Sequence, residues 1–390
     1  MEAVVLKPGL HRVLKGSPWV YRTEIEQSGV EPGVVVAVKT RGGRILGQGF
    51  YNPRSMIAVR MVRWGAHGVV DNRFFQDRVR AAVAWRRDLA PGRDAYRVIY
   101  SEADGIPGLI VDKYGSMLVV QVTSLGLLAF MDGIVEALVS LLGPEGIYEL
   151  GDLSVRDREG LSRQDRLLYG QLIPRVEIHE HGVRMVVDLA GGQKTGHFLD
   201  QYANRGKVGE LSPCREVFDA FCHTGGFGLV ASTHGARSVV GIDSDALAIA
   251  RAASNADLNA NTMRGPVDFV TENAFDWLRR ESEKGPQYDL GILDPPAFTK
   301  SKMSVPGALK GYKEINLRGL RLIRPKGYLV TSSCSYHISE GDFINVVQSA
   351  AYDARRTVRL VDIRGQGPDH PVLPALPESR YLKCLVLAVD

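Results

Sequence analysis

From about residue 190 to the end, short apolar runs alternate with helical stretches, and this alternation restricts the fold more than any other feature of the chain. Strand candidates Val217 to Phe221, Ser238 to Ile242, Val267 to Thr271, Leu290 to Leu293 and Tyr328 to Thr331 are separated by segments long enough for crossover helices, the pattern of a mostly parallel sheet. Val358 to Ile363 and Tyr381 to Ala388 fit an antiparallel finish to that sheet. The expected fold class is α/β, with a doubly wound domain over residues 181–390.

The first half follows other rules. Gly33 to Val38, Ile45 to Phe50 and Ile57 to Val62 read as strands broken by glycine turns, so residues 1–68 are expected to form a small β-rich domain. Apolar residues Phe74, Phe75, Val79, Val83 and Trp85 then recur at helical intervals, and Gly108 to Val122 reads as two strands around a turn. Residues 69–180 are therefore expected to form an α+β middle domain. A chain of 390 residues with 45% hydrophobic and 24% charged residues is neither a single small module nor a disordered chain. The most apolar stretch, Leu125 to Leu142, carries Asp132 and Glu136, which predicts a helix against a sheet and no membrane contact.

Charge is uneven. Residues 1–68 hold ten Lys or Arg against four Glu, a balance of +6, in a chain whose total is only +4. The β-rich start is thus the better candidate for polyanion contact, although a solvated surface can carry the same excess. Cys214, Cys222, Cys334 and Cys384 show no CxxC pairing and no zinc-like spacing with histidine, which fits a reducing cytoplasm and no metal. The opening ten residues, with Glu2, Lys7 and Pro8, lack the apolar stretch of a signal peptide, and no export is expected.

Chemistry is concentrated in the last domain. In Val217 to Gly228 a strand runs into Cys222-His223-Thr224-Gly225-Gly226-Phe227-Gly228 and then a helix near Leu229. Such a bend lets backbone approach a ligand at the carboxyl edge of the sheet, or is simply a tight turn. It matches neither the dinucleotide GxGxxG nor a Walker A loop. Asp243 ends the next strand, where a carboxylate can accept from ribose hydroxyls or cap the helix near Ala246. Asn273 follows the third strand, where an amide can meet an adenine edge. Gln193 to Gln201 can close over a cofactor or serve as an interdomain turn.

After the fourth strand, Asp294-Pro295-Pro296-Ala297-Phe298 joins a carboxyl group to a rigid loop and an aromatic ring, a set able to hydrogen-bond and stack on a planar base. The fifth strand enters Ser332-Ser333-Cys334-Ser335 and brings Cys334 to the same edge, as a structural thiol or a reactive one.

Gln193-Lys194-Thr195-Gly196, Phe221 to Gly228, Asp294 to Phe298, Ser332 to Ser335, and the closing His370-Pro371 with Tyr381-Leu382-Lys383 together resemble the bacterial large-subunit ribosomal RNA cytosine-5 methyltransferases that carry an N-terminal PUA domain. The resemblance spans essentially the whole chain. It implies a PUA domain for residues 1–68, a middle domain over 69–180 that helps form an RNA cleft, and a Rossmann-like methyltransferase domain over 181–390 that uses S-adenosylmethionine. It further implies cofactor contacts from Lys194, Asp219, Phe221, Thr224, Gly225, Gly226, Asp243, Asn273 and Asp294, and substrate contacts from Pro295, Pro296 and Phe298. Cys334 would be the nucleophile, with Asp294 orienting the cytosine. The family commonly has Asp where this chain has Asn273, an acceptor without charge. The implied partner is large-subunit ribosomal RNA, free or in an assembly intermediate, and a homodimer stays open. Two alternatives stand beside this reading: methylation of a base nitrogen without cysteine attack, and an RNA-binding assembly protein with a degenerate methyltransferase fold.

Overall fold

The computed structural model describes residues 1–9, 11–26, 28–189, 197–299 and 301–390. They divide into two compact units: Met1–Val176 with Asp188–Thr195 and Pro368–Ser379, and Glu177–Val187 with Gly196–Gly367 and Arg380–Asp390.

In the first unit, β1 (Ala3–Val5), β2 (Trp19–Tyr21), β3 (Val35–Lys39), β4 (Ile45–Tyr51) and β5 (Ile57–Trp64) form a sheet in the order β1-β3-β4-β5-β2. The sequence pattern picks out β3, β4 and β5; β1 and β2, at three residues each, are too short to show alternation. Gly47 and Gly49 sit where β5 crosses closely, since a Cβ on either would come within about 2.5 Å of the Arg63 or Arg60 carbonyl oxygen.

A second sheet follows. It combines α1 (Asn72–Leu89), β6 (Ala95–Tyr100), β7 (Leu109–Tyr114), β8 (Met117–Val122), α2 (Met131–Leu142), β9 (Gly146–Glu149), α3 (Val155–Glu159) and β10 (Arg166–Gly170), with strand order β10-β9-β8-β7-β6. Asp71 starts α1 by accepting the Phe74 N–H at 2.8 Å. Phe75, Val79, Leu109, Val111, Leu127, Ile134 and Leu138 pack as one core, so the apolar stretch Leu125 to Leu142 turns its Leu127, Ile134 and Leu138 into protein. Phe50 of β4 stacks on Phe75 at 5.9 Å, which joins the two sheets through shared apolar contact. Buried Arg86 donates to both Asp104 carboxylate oxygens at 2.6 and 2.7 Å and to the Asp369 carbonyl at 3.1 Å, satisfying its charge and anchoring Pro368–Ser379 in this unit.

The second unit begins within the hairpin of β11 (Arg175–Glu180) and β12 (Val183–Asp188). Its turn residues His181 and Gly182 both have positive φ, as a two-residue hairpin turn requires. Then come α4 (Tyr202–Leu211), β13 (Glu216–Ala220), α5 (Gly226–Thr233), β14 (Ser238–Asp243), α6 (Ala246–Leu258), β15 (Val267–Thr271), α7 (Ala274–Ser282), β16 (Tyr288–Leu293), α8 (Val305–Leu322), β17 (Ile323–Ser333), α9 (Glu340–Ala354), β18 (Val358–Arg364) and β19 (Lys383–Val389). The seven-stranded sheet has the order β15-β14-β13-β16-β17-β19-β18. Its first five strands are parallel, and β19 runs antiparallel to both neighbours. This is the expected α/β architecture with its antiparallel finish.

Both faces of β13 are covered. Phe218 and Ala220 pack with Trp277, Tyr312 and Phe343, while Val217 packs oppositely with Val208, Phe227 and Ala231, as expected for a central parallel strand. Register locates the site. Ala220 pairs with Ile242 on one side and Leu293 on the other, and Leu293 pairs with Thr331. The next residues, Phe221, Asp243, Asp294 and Ser332, therefore share one row at the carboxyl edge, where the strand order reverses around β13.

Candidate active site

The bend after β13 is conformationally costly and is held from several sides. Phe221, His223 and Gly225 all have positive φ, at 68°, 49° and 84°, and for the aromatic Phe221 this region costs on the order of 1 kcal/mol. Phe221 N and Cys222 N donate to the Ile242 carbonyl at 2.8 and 3.0 Å, and His223 N donates to Asp243 Oδ2 at 2.9 Å. Buried Thr224 accepts from Asn255 Nδ2 at 3.3 Å through its carbonyl. At Gly225 a Cβ would come within 2.7 Å of the Phe269 ring, so both φ and space require glycine there. Gly226 opens α5, three residues before the expected start at Leu229.

Asp219 lies beneath this bend. Its Oδ2 accepts the Gly228 N–H at 3.0 Å, while its buried Oδ1 has no hydrogen-bond partner among the described residues. Burial holds this carboxyl well above the usual carboxylate range; the charges of Asp294 and Asp243 add to the rise, and the Gly228 N–H opposes it.

Asp243 does not cap α6. That role belongs to Asp245, whose Oδ1 accepts from Leu247 N and Ala248 N at 2.9 and 3.2 Å. Asp243 instead accepts from Asp245 N through Oδ1, at 3.0 Å, and from His223 N through Oδ2, so it ties the glycine bend to the start of the helix. Asn273 caps α7, its Oδ1 accepting from Phe275 N at 2.9 Å and Asp276 N at 3.4 Å. The side-chain oxygen is thus committed to the helix, and the amide NH2 is the group left for a ligand. Lys194 lies outside the described residues.

Asp294 is embedded in polar contacts from the segment before α4. Gln201 Nε2 donates to Asp294 Oδ1 at 2.8 Å, and Tyr381 Oη donates to Asp200 Oδ2 at 2.5 Å. Burial pushes the Asp294 carboxyl up to about 7, with the Asp200 charge adding and both Arg205 and Gln201 opposing. Arg205 is itself buried against Glu180, and Glu180 also accepts from His197 Nε2 at 2.9 Å. Asp200, Gln201 and Arg205 have no individual role in the sequence pattern; the run Gln193 to Gln201 is the only signal for the first two, and Arg205, inside α4, has none.

Pro295 is buried and Pro296 exposed. The half-buried Phe298 ring packs 4.5 Å from Tyr312 and 5.6 Å from Phe275, between centroids, and this aromatic cluster accounts for its position without a base. Phe275, missed from sequence, also packs against Phe221 at 5.9 Å. Cys334 is partly exposed, and its Sγ lies 4.0 Å from the Pro295 carbonyl oxygen. Tyr312 Oη and Ser335 Oγ are hydrogen-bonded at 2.9 Å, while Lys383 Nζ donates to the Ser335 and Tyr381 carbonyls at 2.7 and 2.8 Å. The structure thus brings Asp219, Phe221, Thr224, Gly225, Gly226, Asp243, Asp294, Pro295 and Cys334 to one edge.

The profile of the S-adenosylmethionine-dependent methyltransferases matches residues 153–385, and that of the PUA-like domains matches 4–64. Ribosomal RNA large subunit methyltransferase I of Shewanella frigidimarina is 38% identical over 394 aligned residues, covering 99% of both chains. The chain belongs to the family of ribosomal RNA large subunit methyltransferase I. The Photobacterium profundum methyltransferase I is 39% identical over 94% of each chain. Among solved structures, SMU.776 complexed with SAH has a TM-score of 0.84 at 20% identity, with 100% of both chains covered, which shows a shared fold.

The cofactor of this methyltransferase I family member is S-adenosylmethionine, and the residues present fit it. S-adenosylmethionine carries a positive sulfonium and a positive ammonium. Asp219, Asp243 and Asp294 are close enough for the charges of Asp243 and Asp294 to disfavour ionisation of Asp219, and the buried Asp219 Oδ1 has no hydrogen-bond partner among the described residues. A cationic ligand relieves both conditions.

Proposed function

We propose that this chain methylates C5 of a cytosine in large-subunit ribosomal RNA through a covalent adduct with Cys334. The observation that carries the reading is the 4.0 Å approach of Cys334 Sγ to the Pro295 carbonyl, which sets the thiol against the loop that Asp294 begins. The Shewanella and Photobacterium relatives are large-subunit ribosomal RNA methyltransferases, which supports the RNA class. Residues 1–68 and 69–180 would hold structured RNA through phosphate and shape contacts, and the target base would enter the site out of its stack. A cytoplasmic location follows from this substrate.

Asp243 would accept from the ribose hydroxyls of the cofactor, and the Asn273 amide NH2 would meet the adenine. Asp219 and the Thr224 to Gly226 backbone would hold the methionyl end, with Phe221 beside them.

Cytosine C5 is a weak carbon nucleophile. The Cys334 thiolate would add to C6, forming the S–C6 bond; the C5–C6 π pair shifts to C4–C5 and the C4–N3 π pair onto N3, which takes the proton of protonated Asp294. Bound S-adenosylmethionine would supply the electrophilic methyl group that C5 takes, the S–CH3 pair staying on sulfur as the neutral thioether. A base would then remove the C5 proton, the C–H pair would restore the C5–C6 double bond, and sulfur would leave as thiolate while N3 returns its proton to Asp294. A carboxyl poised near 7 suits that exchange, because it can give and recover a proton at neutral pH.

Incubating unmodified large-subunit ribosomal RNA with the full-length chain and S-adenosylmethionine, then mapping nucleosides by mass spectrometry, tests the proposal. 5-Methylcytidine at a defined position is the expected product. Methyl on a base nitrogen would overturn the cysteine chemistry, and cofactor binding with no methylated RNA would favour an assembly factor.

A further inference from the structure

Lys383 is the first residue of β19 and pairs in register with Ser333, the last residue of β17. Cys334 is the next residue along. Lys383 is only 4% exposed, and a lysine so enclosed needs partners for its ammonium. Two carbonyls provide them, Ser335 O at 2.7 Å and Tyr381 O at 2.8 Å. The residues on either side of Cys334 are therefore both fixed: Ser333 by the strand ladder, Ser335 by Lys383 and by Tyr312 Oη.

Charge completes the picture. Burial pushes the Lys383 ammonium down to about 8; Cys334, in its ionised form, is the strongest influence holding it up, ahead of Glu340, while Arg380 adds to the fall. Glu340 is already engaged by Arg380 at 2.5 Å. The other titratable groups packed here include Tyr336 and His337 in the turn after Cys334, Tyr381 before β19, Tyr312 on α8, Asp294 after β16, and Cys384 on β19, whose thiol burial pushes up to about 12. Attraction between two such groups is mutual, so an ammonium favoured by a thiolate favours that thiolate in return.

We propose that Lys383 is a positioning residue for Cys334: its buried ammonium, anchored on two carbonyls, favours the thiolate and holds the turn that presents it. This rests on the reading of Cys334 as the nucleophile. The Arg380 and Glu340 side chains are 51% and 32% exposed and His337 is half-buried, so none of these is enclosed as the Lys383 ammonium is.

The test compares the full-length wild type with Lys383→Gln, which keeps an N–H donor without charge, and Lys383→Arg, which keeps the charge. Iodoacetamide alkylation of the Cys334 peptide is followed by mass spectrometry against pH, separately from Cys214, Cys222 and Cys384. In Lys383→Gln the Cys334 midpoint should rise by about one pH unit, cutting alkylation at pH 7 about tenfold, while Lys383→Arg stays near wild type. The acid limb of the methylation kcat/KM profile should move with it. An unmoved alkylation midpoint in folded Lys383→Gln overturns the proposal, as does a moved midpoint with an unmoved acid limb. If Lys383→Gln does not fold, a wild-type midpoint at or above the ordinary thiol range near ~8.5 overturns it, and one below supports it. Methylation by Cys334→Ala would instead defeat the nucleophile reading, whatever the alkylation profile shows.

Discussion

The Gln201 side-chain amide donates to Asp294 Oδ1 across 2.8 Å, although 93 residues separate the two in sequence. Asn204 Nδ2 donates in turn to Gln201 Oε1 at 2.6 Å, which leaves the Gln201 amide one orientation. This bond favours the ionised carboxylate, so its loss moves Asp294 above its position at about 7. Gln201→Met should shift the alkaline limb of methylation to higher pH and lower the plateau rate roughly fivefold, the cost of about 1 kcal/mol of orientation. An alkaline limb that stays in place would belong to another group.

Asp294 should also mark stability. Its carboxyl is raised from an ordinary 3.8 to about 7, so the unfolded chain ionises it first. The associated stability is fully present below pH 4 and is lost as pH rises through 7. Asp294→Asn removes that loss. It should gain stability relative to wild type between pH 4 and pH 8, by roughly 2–4 kcal/mol, while losing methylation. Melting curves at the two pH values check this, and a Tm difference independent of pH would refute it.

Cys334→Ala should keep the fold and most cofactor affinity, because Cys334 lies against the Pro295 carbonyl and away from the Asp243 end of the edge. Cytosine methylation should be abolished, since C5 is no longer activated. RNA carrying 5-fluorocytosine at the target should trap a persistent adduct with wild type, because fluorine cannot leave as the C5 proton does, and none with the alanine variant. Near-normal turnover by a well-folded Cys334→Ala enzyme would bring nitrogen methylation forward.

Asp243 accepts two backbone N–H groups as well as facing the proposed ribose site. Asp243→Asn keeps the size but replaces one acceptor oxygen by a donor. It should weaken S-adenosylmethionine binding by about tenfold in calorimetry, of the order of one charged hydrogen bond, and leave RNA affinity within twofold. Equal losses of both would assign Asp243 to the architecture of the bend alone.

Deleting residues 1–68 would not isolate their charge, because Phe50 packs on Phe75 in the adjoining core. Arg41 and Arg44 in the exposed β3–β4 turn are cleaner probes. Replacing both by Ser should reduce the slope of log affinity against log salt by about 1–2, since each phosphate that a cation no longer neutralises keeps roughly one counterion. An unchanged slope would move the RNA footprint elsewhere.

The strand positions of the last domain were legible because a parallel strand covered on both faces is a short continuous apolar run, and crossover helices space such runs evenly. The bend at Gly225 and the loop Asp294 to Phe298 were legible because glycine and proline declare backbone geometry directly. Two roles were not. Asp243 reads as a ribose acceptor or as the cap of the next helix, and only the folded structure assigns the cap to Asp245. Phe298 reads as a ring able to stack on a base; that Phe275 and Tyr312 converge on it from α7 and α8 appears only in the fold.

By itself the sequence determined the α/β class, the run of strands and the residue types at each strand end, because these depend on local periodicity and on nearest-neighbour backbone chemistry. Tertiary structure alone decided that Ala220, Leu293 and Thr331 lie in one register row, that Gln201 meets Asp294, and that Lys383 bonds the Ser335 carbonyl next to Cys334. Strand order and register come from packing between segments tens to hundreds of residues apart. Burial, which lifts Asp294 to about 7 and makes Lys383 depend on its neighbours, exists only once those segments have closed over them.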